Sequence, residues 1–341
     1  MNMPKKMLLV SCTFLLLFCQ VCVQSAGGFN PLEIKSGGSK KYSKLKHLLV
    51  CKSGSPLALK FAKFVCQDLD FTDQFDLEVK NTEEGFGPFS PEKLLDRGTS
   101  LVTFFKEEKD SVHVTVRDNK SKLTVLDKKI GVDDKNFVLQ GHTLSSDILR
   151  SLTGSPGICL SSLSYCKLVS ARHKVVCVSD YMCKQVSVVS QRKTINAAPR
   201  WHQDKLYYSQ ITKQNNRLMM YDTSRRKHSV ILTYPGLNTQ PTFSPDGKKV
   251  IVCLSGGNGN SELYIYDENV CRRLKKRAFR PLTKNGEHNV CPCMLADGNI
   301  VFCSNFQGGH PQLYHLDLIT KKIRRLTSGR GYAAAPSYCA K

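Results

Sequence analysis

A chain of 341 residues with 41% apolar side chains can build one large domain or two ordinary ones, and is too rich in core formers to read as disordered. Its 50 basic against 28 acidic residues, a net charge of +22, point toward anionic partners or surfaces. It carries no H-E-x-x-H, P-loop, G-x-S-x-G elbow or dinucleotide fingerprint, and its nine histidines lack ligand spacing, so the sequence nominates no catalytic residue, metal ligand or cofactor.

Residues 1 to 26 read as a cleavable export leader. Lys5 and Lys6 precede the apolar run "MLLVSCTFLLLFCQVCV", and "VQSA" offers small residues for cleavage near Ser25 or Ala26. Gln20 interrupts the run, which is short for about 30 Å of hydrocarbon, so an uncleaved anchor is the second reading. Cys19 follows Phe18 and Cys22 follows Val21, not the small residue that lipid attachment needs. Export implies an oxidising compartment, yet the cysteine spacings are irregular and suggest no disulfide framework. For an exported chain, nucleic acid is the least fitting anionic ligand.

Residues 27 to 43, "GGFNPLEIKSGGSKKYS", form a glycine- and lysine-rich arm. Residues 44 to 157 then read as a small α/β domain. "KLKHLLVC" predicts a strand, "SPLALKFAKFVCQDL" an amphipathic helix, and "SVHVTVRD" with "KLTVLDKK" a strand pair joined through Asn119 and Lys120. "TLSSDILRSLTG" predicts a closing helix with Thr143 or Ser145 as cap and Gly154 as terminator.

From residue 158 the chain repeats itself. "QPTFSPDGKKVIVCLSGGNGNSELYIYDENVCRRLKKRAFRPLTKNGEHNVCP" orders a proline-led strand from Pro241, an SPDG turn, an apolar strand, "ELYIYD" and a last strand closing on Leu282 and Thr283. The flanking copies keep that order with "LMMYD" and "LYHLD", and a degraded first copy runs from about Leu163 to Thr194. Pro199, Pro241, Pro292 and Pro336 are 42, 51 and 44 residues apart, the period of a four-stranded propeller blade. Asp-Gly would supply a two-residue hairpin turn, and Asp222, Asp267 and Asp317 fall where the chain turns again. Ser209, Cys253 and Cys303 share one place in successive second strands, as small interior residues. The proline of "CPC" (Cys291, Pro292, Cys293) is the repeat proline, which explains the motif without redox or metal chemistry.

Together these pieces resemble the TolB family of the Tol-Pal cell-envelope system. The repeat "PTFSPDGKKV…LYIYD…PLT" also occurs in propellers of prolyl oligopeptidase-like peptidases, so the first domain narrows the choice. "DLDFTDQFDL" resembles the family's D-L-x-x-S-G-x-F segment, with Asp73 where glycine is usual, and "GHTLSSDILRSLTGSPG" resembles its junction, with His142, Asp147, Thr153, Gly154 and Gly157.

The resemblance implies a periplasmic, non-enzymatic scaffold of an α/β domain and an all-β propeller, acting in outer-membrane integrity and division. It implies that a Pal-like peptidoglycan-associated lipoprotein docks over the loops leading into the blades, "NAAP", "NTQP", "NVCP" and "AAAP", where Asn196, Leu237, Asn238, Gln240, Asn289 and Val290 are the candidate contacts. Leu237 stands where the family pattern has a histidine. "LEIKSGG" resembles the short strand by which the family engages TolA, which nominates Leu32, Glu33, Ile34 and Lys35, with Lys35 where an acid is usual. The alternatives are a peptidase-related propeller, or binding of an anionic envelope polymer through "RRLKKRAFR" and "KKIRR". The closing "GYAAAPSYCAK" reads as the first strand of a fifth blade, so against the family's six blades the propeller is expected to be incomplete, as a shortened gene product or half of a two-chain disc.

Overall fold

The computed structural model describes residues 22–24, 44–82, 98–191, 193–256, 259–269, 273, 279–329 and 331–338. Most of the expected leader and the whole arm, with Leu32, Glu33, Ile34 and Lys35, lie outside the described residues. Two compact units emerge. One comprises Ser25–Ser161 with Asp180–Gln185, the other Met1–Gln24, Ser162–Ser179 and Val186–Lys341.

After β1 (Cys22–Gln24), the α/β unit runs β2 (Leu45–Lys52), α1 (Pro56–Asp70), β3 (Phe75–Thr82), β4 (Leu101–Glu108), β5 (Ser111–Asp118), β6 (Thr124–Gly131) and α2 (Phe137–Thr153). The sheet order is β3-β2-β4-β5-β6, with β2 parallel to both neighbours and the rest antiparallel. Because β2 is central, every residue from His47 to Cys51 is buried, which is why it reads as a continuous apolar run and not as an alternation. Helix α1 buries Ala58, Phe61, Ala62, Val65 and Leu69, a stripe at helical spacing. Its first turn is capped from β4, where Glu107 Oε2 accepts the Leu57 and Ala58 amides at 3.0 and 3.2 Å. The turn after α1 places Asp73 at φ 56°, the left-handed conformation that accounts for glycine as the residue the family pattern has there.

Helix α2 begins six residues before the expected cap. Asn136 is the N-cap, while Thr143 and Ser145 lie inside the helix and return their hydroxyls to the carbonyls of Leu139 and Gly141. The extra turns are held by Phe137, which packs edge-on against Phe61 and Phe64. Gly141 belongs there because a Cβ would come within 2.4 Å of the Phe64 ring. The helix ends as expected at Gly154, φ 76°.

The second unit is a series of four-stranded antiparallel blades. The first is β7 (Ser162–Ser170), β8 (His173–Asp180) and β9 (Val186–Val188), with β1 alongside β7. The second is β10 (Ile195–His202), β11 (Lys205–Ile211), β12 (Asn216–Asp222) and β13 (Lys227–Leu232). The third is β14 (Asn238–Phe243), β15 (Lys249–Leu254), β16 (Glu262–Asp267) and β17 (Arg280–Pro281). The fourth is β18 (Asn289–Met294), β19 (Ile300–Ser304), β20 (Gln312–Leu316) and β21 (Ile323–Arg325).

Within each blade the strands lie in sequence order, and the third strand of one blade starts parallel to the first strand of the next, through Lys174 with Ile195 and Ser261 with His288. All blades therefore point the same way. Turns between strands one and two and between three and four emerge at one end, and the remaining connections emerge at the other.

Second strands fill the interior. Ile251 and Cys253 of the third blade pack with Val290, Cys291, Ile300, Phe302 and Cys303 of the fourth, and each large side chain removed from water there contributes about 2 kcal/mol. Ser209, Cys253 and Cys303 are all buried, as their shared register predicts. The Asp-Gly turns are longer than the two residues expected. Ser244 bonds to Lys249 and Leu295 to Asn299 across loops that need a positive φ only at Gly247 and Gly298, 70° and 84°. In the second blade Gln203, at φ 53°, takes that role without glycine.

Strands β10, β14 and β18 start ahead of their repeat prolines and pass through a bulge there, whereas the expected first strand of a fifth blade is not formed around Pro336 among the described residues 331–338. Ala198, Gln240, Cys291 and Ala335, the residues immediately before the four prolines, have φ values of 52°, 52°, 52° and 55°. The register shifts at this point in β10, β14 and β18.

Candidate functional site

The nominated asparagines are not loop residues. Asn196, Asn238 and Asn289 lie at the starts of the first strands, and all three are 0% exposed. Each ties its own approach loop to the blade before it. The Asn196 amide donates to the carbonyls of Lys174 and Gln191, both at 2.9 Å. That of Asn238 donates to Asn216, Tyr234 and Gly236, while its Oδ1 accepts the Tyr234 amide at 3.0 Å. Asn289 donates to Ser261, Glu262 and Asn285 and accepts from the Ser304 hydroxyl at 2.8 Å. A buried amide satisfied on several sides fixes loop shape, and here it leaves no donor for a partner. The side chains of all three asparagines turn inward. Asn196 Oδ1 alone remains without a partner.

Gln240 is also turned inward. Its Oε1 accepts the Cys291 amide at 2.8 Å and its Nε2 lies 3.1 Å from the Cys291 sulfur, so it bridges the third and fourth blades. The bulge makes this bridge: a positive φ takes the Cys291 amide out of its own ladder and aims it at the preceding blade. The Ala335 amide likewise bonds to Cys291.

Leu237 and Val290 differ. Leu237 is half-buried, its amide donating to Ser255 Oγ at 2.7 Å. Val290 lines an open concavity of about 170 Å³ with His288, Cys303, Asn305, Gly309 and Pro311, at the end where the blade-to-blade connections emerge. The structure thus brings the nominated residues to one end of the blades, with most of them as its scaffold.

The groups that look reactive are locked by burial. Burial raises the thiol pKa of Cys291 and Cys293, lifts Cys253 well above its ordinary value and pushes Cys303 up to about 12, so all four stay protonated. Cys51, Cys66, Cys159, Cys177, Cys253, Cys291, Cys293 and Cys303 carry free thiols. In the α/β unit, His142 Nδ1 lies 2.9 Å from Asp68 Oδ2, and the Tyr181 hydroxyl donates to Asp68 Oδ1 at 2.8 Å. Burial, then the Asp68 charge, pushes the Tyr181 pKa far up and keeps the phenol protonated. All three side chains are buried. His142 and Asp68 each lie in a motif that the sequence offers, whereas Tyr181 lies in none. Among the described residues, no group of three or more His, Cys, Asp or Glu could hold a metal ion.

The family model described as "TolB beta propeller domain" matches residues 149–341. The chain belongs to the TolB β-propeller family. Two Tol-Pal system proteins TolB, from Francisella tularensis subsp. mediasiatica and from subsp. tularensis strain SCHU S4, are each 30% identical over 183 residues, 51% of this chain and 40% of the relative. The chain thus spans less than half the length of these curated relatives. The crystal structure of TolB from Acinetobacter baumannii superposes with a TM-score of 0.65 at 22% identity, covering 86% of this chain and 74% of that one. This places the α/β unit within the TolB fold as well, although the family match begins only at residue 149, inside α2.

Proposed function

We propose that this TolB-like chain is a non-enzymatic, periplasmic scaffold of a Tol-Pal-type envelope system, acting by protein-protein contact in outer-membrane integrity and division. A Pal-like lipoprotein docks on the end of the blades where the amide-anchored connections emerge, with Leu237, Val290 and the concavity beside Val290 as the contact surface. Residues Leu32 to Lys35 of the arm engage a TolA-like partner.

The observation that carries this reading is the recurrence of one device. Three successive blades use a buried asparagine to hold the approach loop in a fixed shape at the same end. Pre-shaped loops bind with less ordering cost than mobile ones. The relatives' printed role as Tol-Pal system proteins supplies the partner class.

Binding of the full chain to an immobilised Pal-like domain tests it. Salt-resistant binding that Leu237→Asp weakens by an order of magnitude or more is the expected result. Binding lost entirely at moderate salt, or unchanged in Leu237→Asp, would overturn it.

A further inference from the structure

The opposite end of the blades has a different chemistry. There the turn after the third strand is built the same way in the second and fourth blades. Asp222 Oδ1 accepts the Arg225 amide at 2.9 Å, and Asp317 Oδ1 accepts the amides of Ile319 and Thr320, both at 2.8 Å. Four residues past each aspartate the chain turns left-handed, at Arg226 (φ 52°) and Lys321 (φ 60°), and the next residue is again a cation, Lys227 and Lys322.

A glycine would suit that left-handed site better. Both turns instead hold an exposed Arg or Lys there, with Arg225 before Arg226 adding a third cation in the second blade. Among the described residues, no carboxylate lies within 4.0 Å of Arg226, Lys227, Lys321 or Lys322, and Arg225 only reaches Asp222 at 4.0 Å. The aspartates of these turns are spent on backbone amides. Ile319 stands at the tip of the fourth-blade turn, 91% exposed, its backbone held by Asp317 and by the Lys321 amide to Asp317 carbonyl bond at 2.9 Å.

We propose that this end of the blades docks on an anionic lipid bilayer. Arg225, Arg226, Lys227, Lys321 and Lys322 pair with headgroup phosphates, and Ile319 enters the headgroup and acyl boundary. Two observations together select a bilayer over a soluble polyanion. Cations repeated at equivalent turns of blades that all point one way lie along one end, matching a planar charged surface. A large apolar side chain fully presented among them has no role in contacting a hydrated polymer but is stabilised at a lipid interface. The proposal does not rest on the identity of the protein partner, which would occupy the other end and leave this one facing a membrane.

Flotation of the full chain with vesicles tests it, using phosphatidylcholine alone and phosphatidylcholine mixed equally with phosphatidylglycerol. Retention is expected on the anionic vesicles only. Lys321→Glu with Lys322→Glu should weaken it by on the order of tenfold or more, at about fivefold per cation removed. Ile319→Asp should weaken it severalfold, and Ile319→Trp should tighten it with a blue-shifted emission on vesicle addition. Lys213→Glu with Lys284→Glu, exposed at the opposite end, should change nothing. Equal retention on neutral vesicles, or loss caused by the opposite-end pair alone, overturns the proposal. So does vesicle binding indifferent to both Ile319 changes, which would make the patch a simple polyelectrolyte site.

Discussion

His142 and Asp68, 74 positions apart in sequence, meet at 2.9 Å in the interior of the α/β unit, with the Tyr181 hydroxyl on the second carboxylate oxygen. His142 Nε2 has no hydrogen-bond partner and faces Asp180 Oδ1 at 3.8 Å. One buried carboxylate thus serves two helices' worth of packing and the segment Asp180–Gln185 at once. Asp68→Ala strands two buried donors and is expected to cost about 3–5 kcal/mol, against about 1–2 kcal/mol for Tyr181→Phe. Urea midpoints of the two variants check this, and an Asp68→Ala effect no larger than that of Tyr181→Phe contradicts it.

His47 gives the α/β unit a defined acid limit. It is buried in β2, with Nε2 2.7 Å from Thr103 Oγ1, and burial lowers its pKa to about 4. The unfolded chain, with a pKa of about 6.5, takes up this proton first, so the neutral form's stabilisation is intact above that pH and is lost as pH falls toward 4. The full difference amounts to about 3 kcal/mol. Thermal melts between pH 7 and pH 4 should fall in this window, and His47→Gln should flatten the fall. An unchanged slope in the variant would assign it to other groups.

Gln240 tests whether a nominated docking residue is in fact structural. Gln240→Ala leaves the Cys291 amide without its acceptor in a buried site, for a predicted loss of about 1–3 kcal/mol. Leu237→Asp, on the half-exposed loop, should cost far less stability while impairing partner binding. If Gln240→Ala proves neutral in denaturation but abolishes binding, the side chain is a contact after all.

The interior thiols should be unreactive in the folded chain. Alkylation with iodoacetamide followed by mass spectrometry should find the exposed Cys183 modified before the buried thiols. Cys253, Cys291 and Cys303 should follow only after unfolding, because burial holds them as thiols. Native labelling of Cys253 as fast as Cys183 would show that the blades open.

The repeat was legible because its signals are local: prolines, Asp-Gly turns and alternating strands recur at one period. Strands β2, β5 and β6 and helix α1 formed at or next to the stretches the patterns named, whereas α2 starts earlier than its pattern. What escaped the sequence depends on partners distant in the chain. The first turns of α2 were missed because Gly141 looks like a breaker until Phe64 is seen filling the space of a side chain. The asparagines read as loop formers because the strand's passage through a left-handed residue before proline leaves no glycine to mark it. Asp68 opens the D-L-x-x-S-G-x-F-like segment and His142 lies in the junction motif, but nothing in the chain order pairs them with each other or with Tyr181.

The bulge before each repeat proline also gives the blades an order. Its left-handed residue sends an amide back to the side chain at the same position one blade earlier: Cys291 to Gln240, and Ala335 to Cys291. That side chain is Ala198 in the second blade, which has nothing to accept with. The repeats are therefore not interchangeable modules. Exchanging the second and third first-strands would set a methyl group against the Cys291 amide, so neighbour identity is written into the residue that precedes each proline.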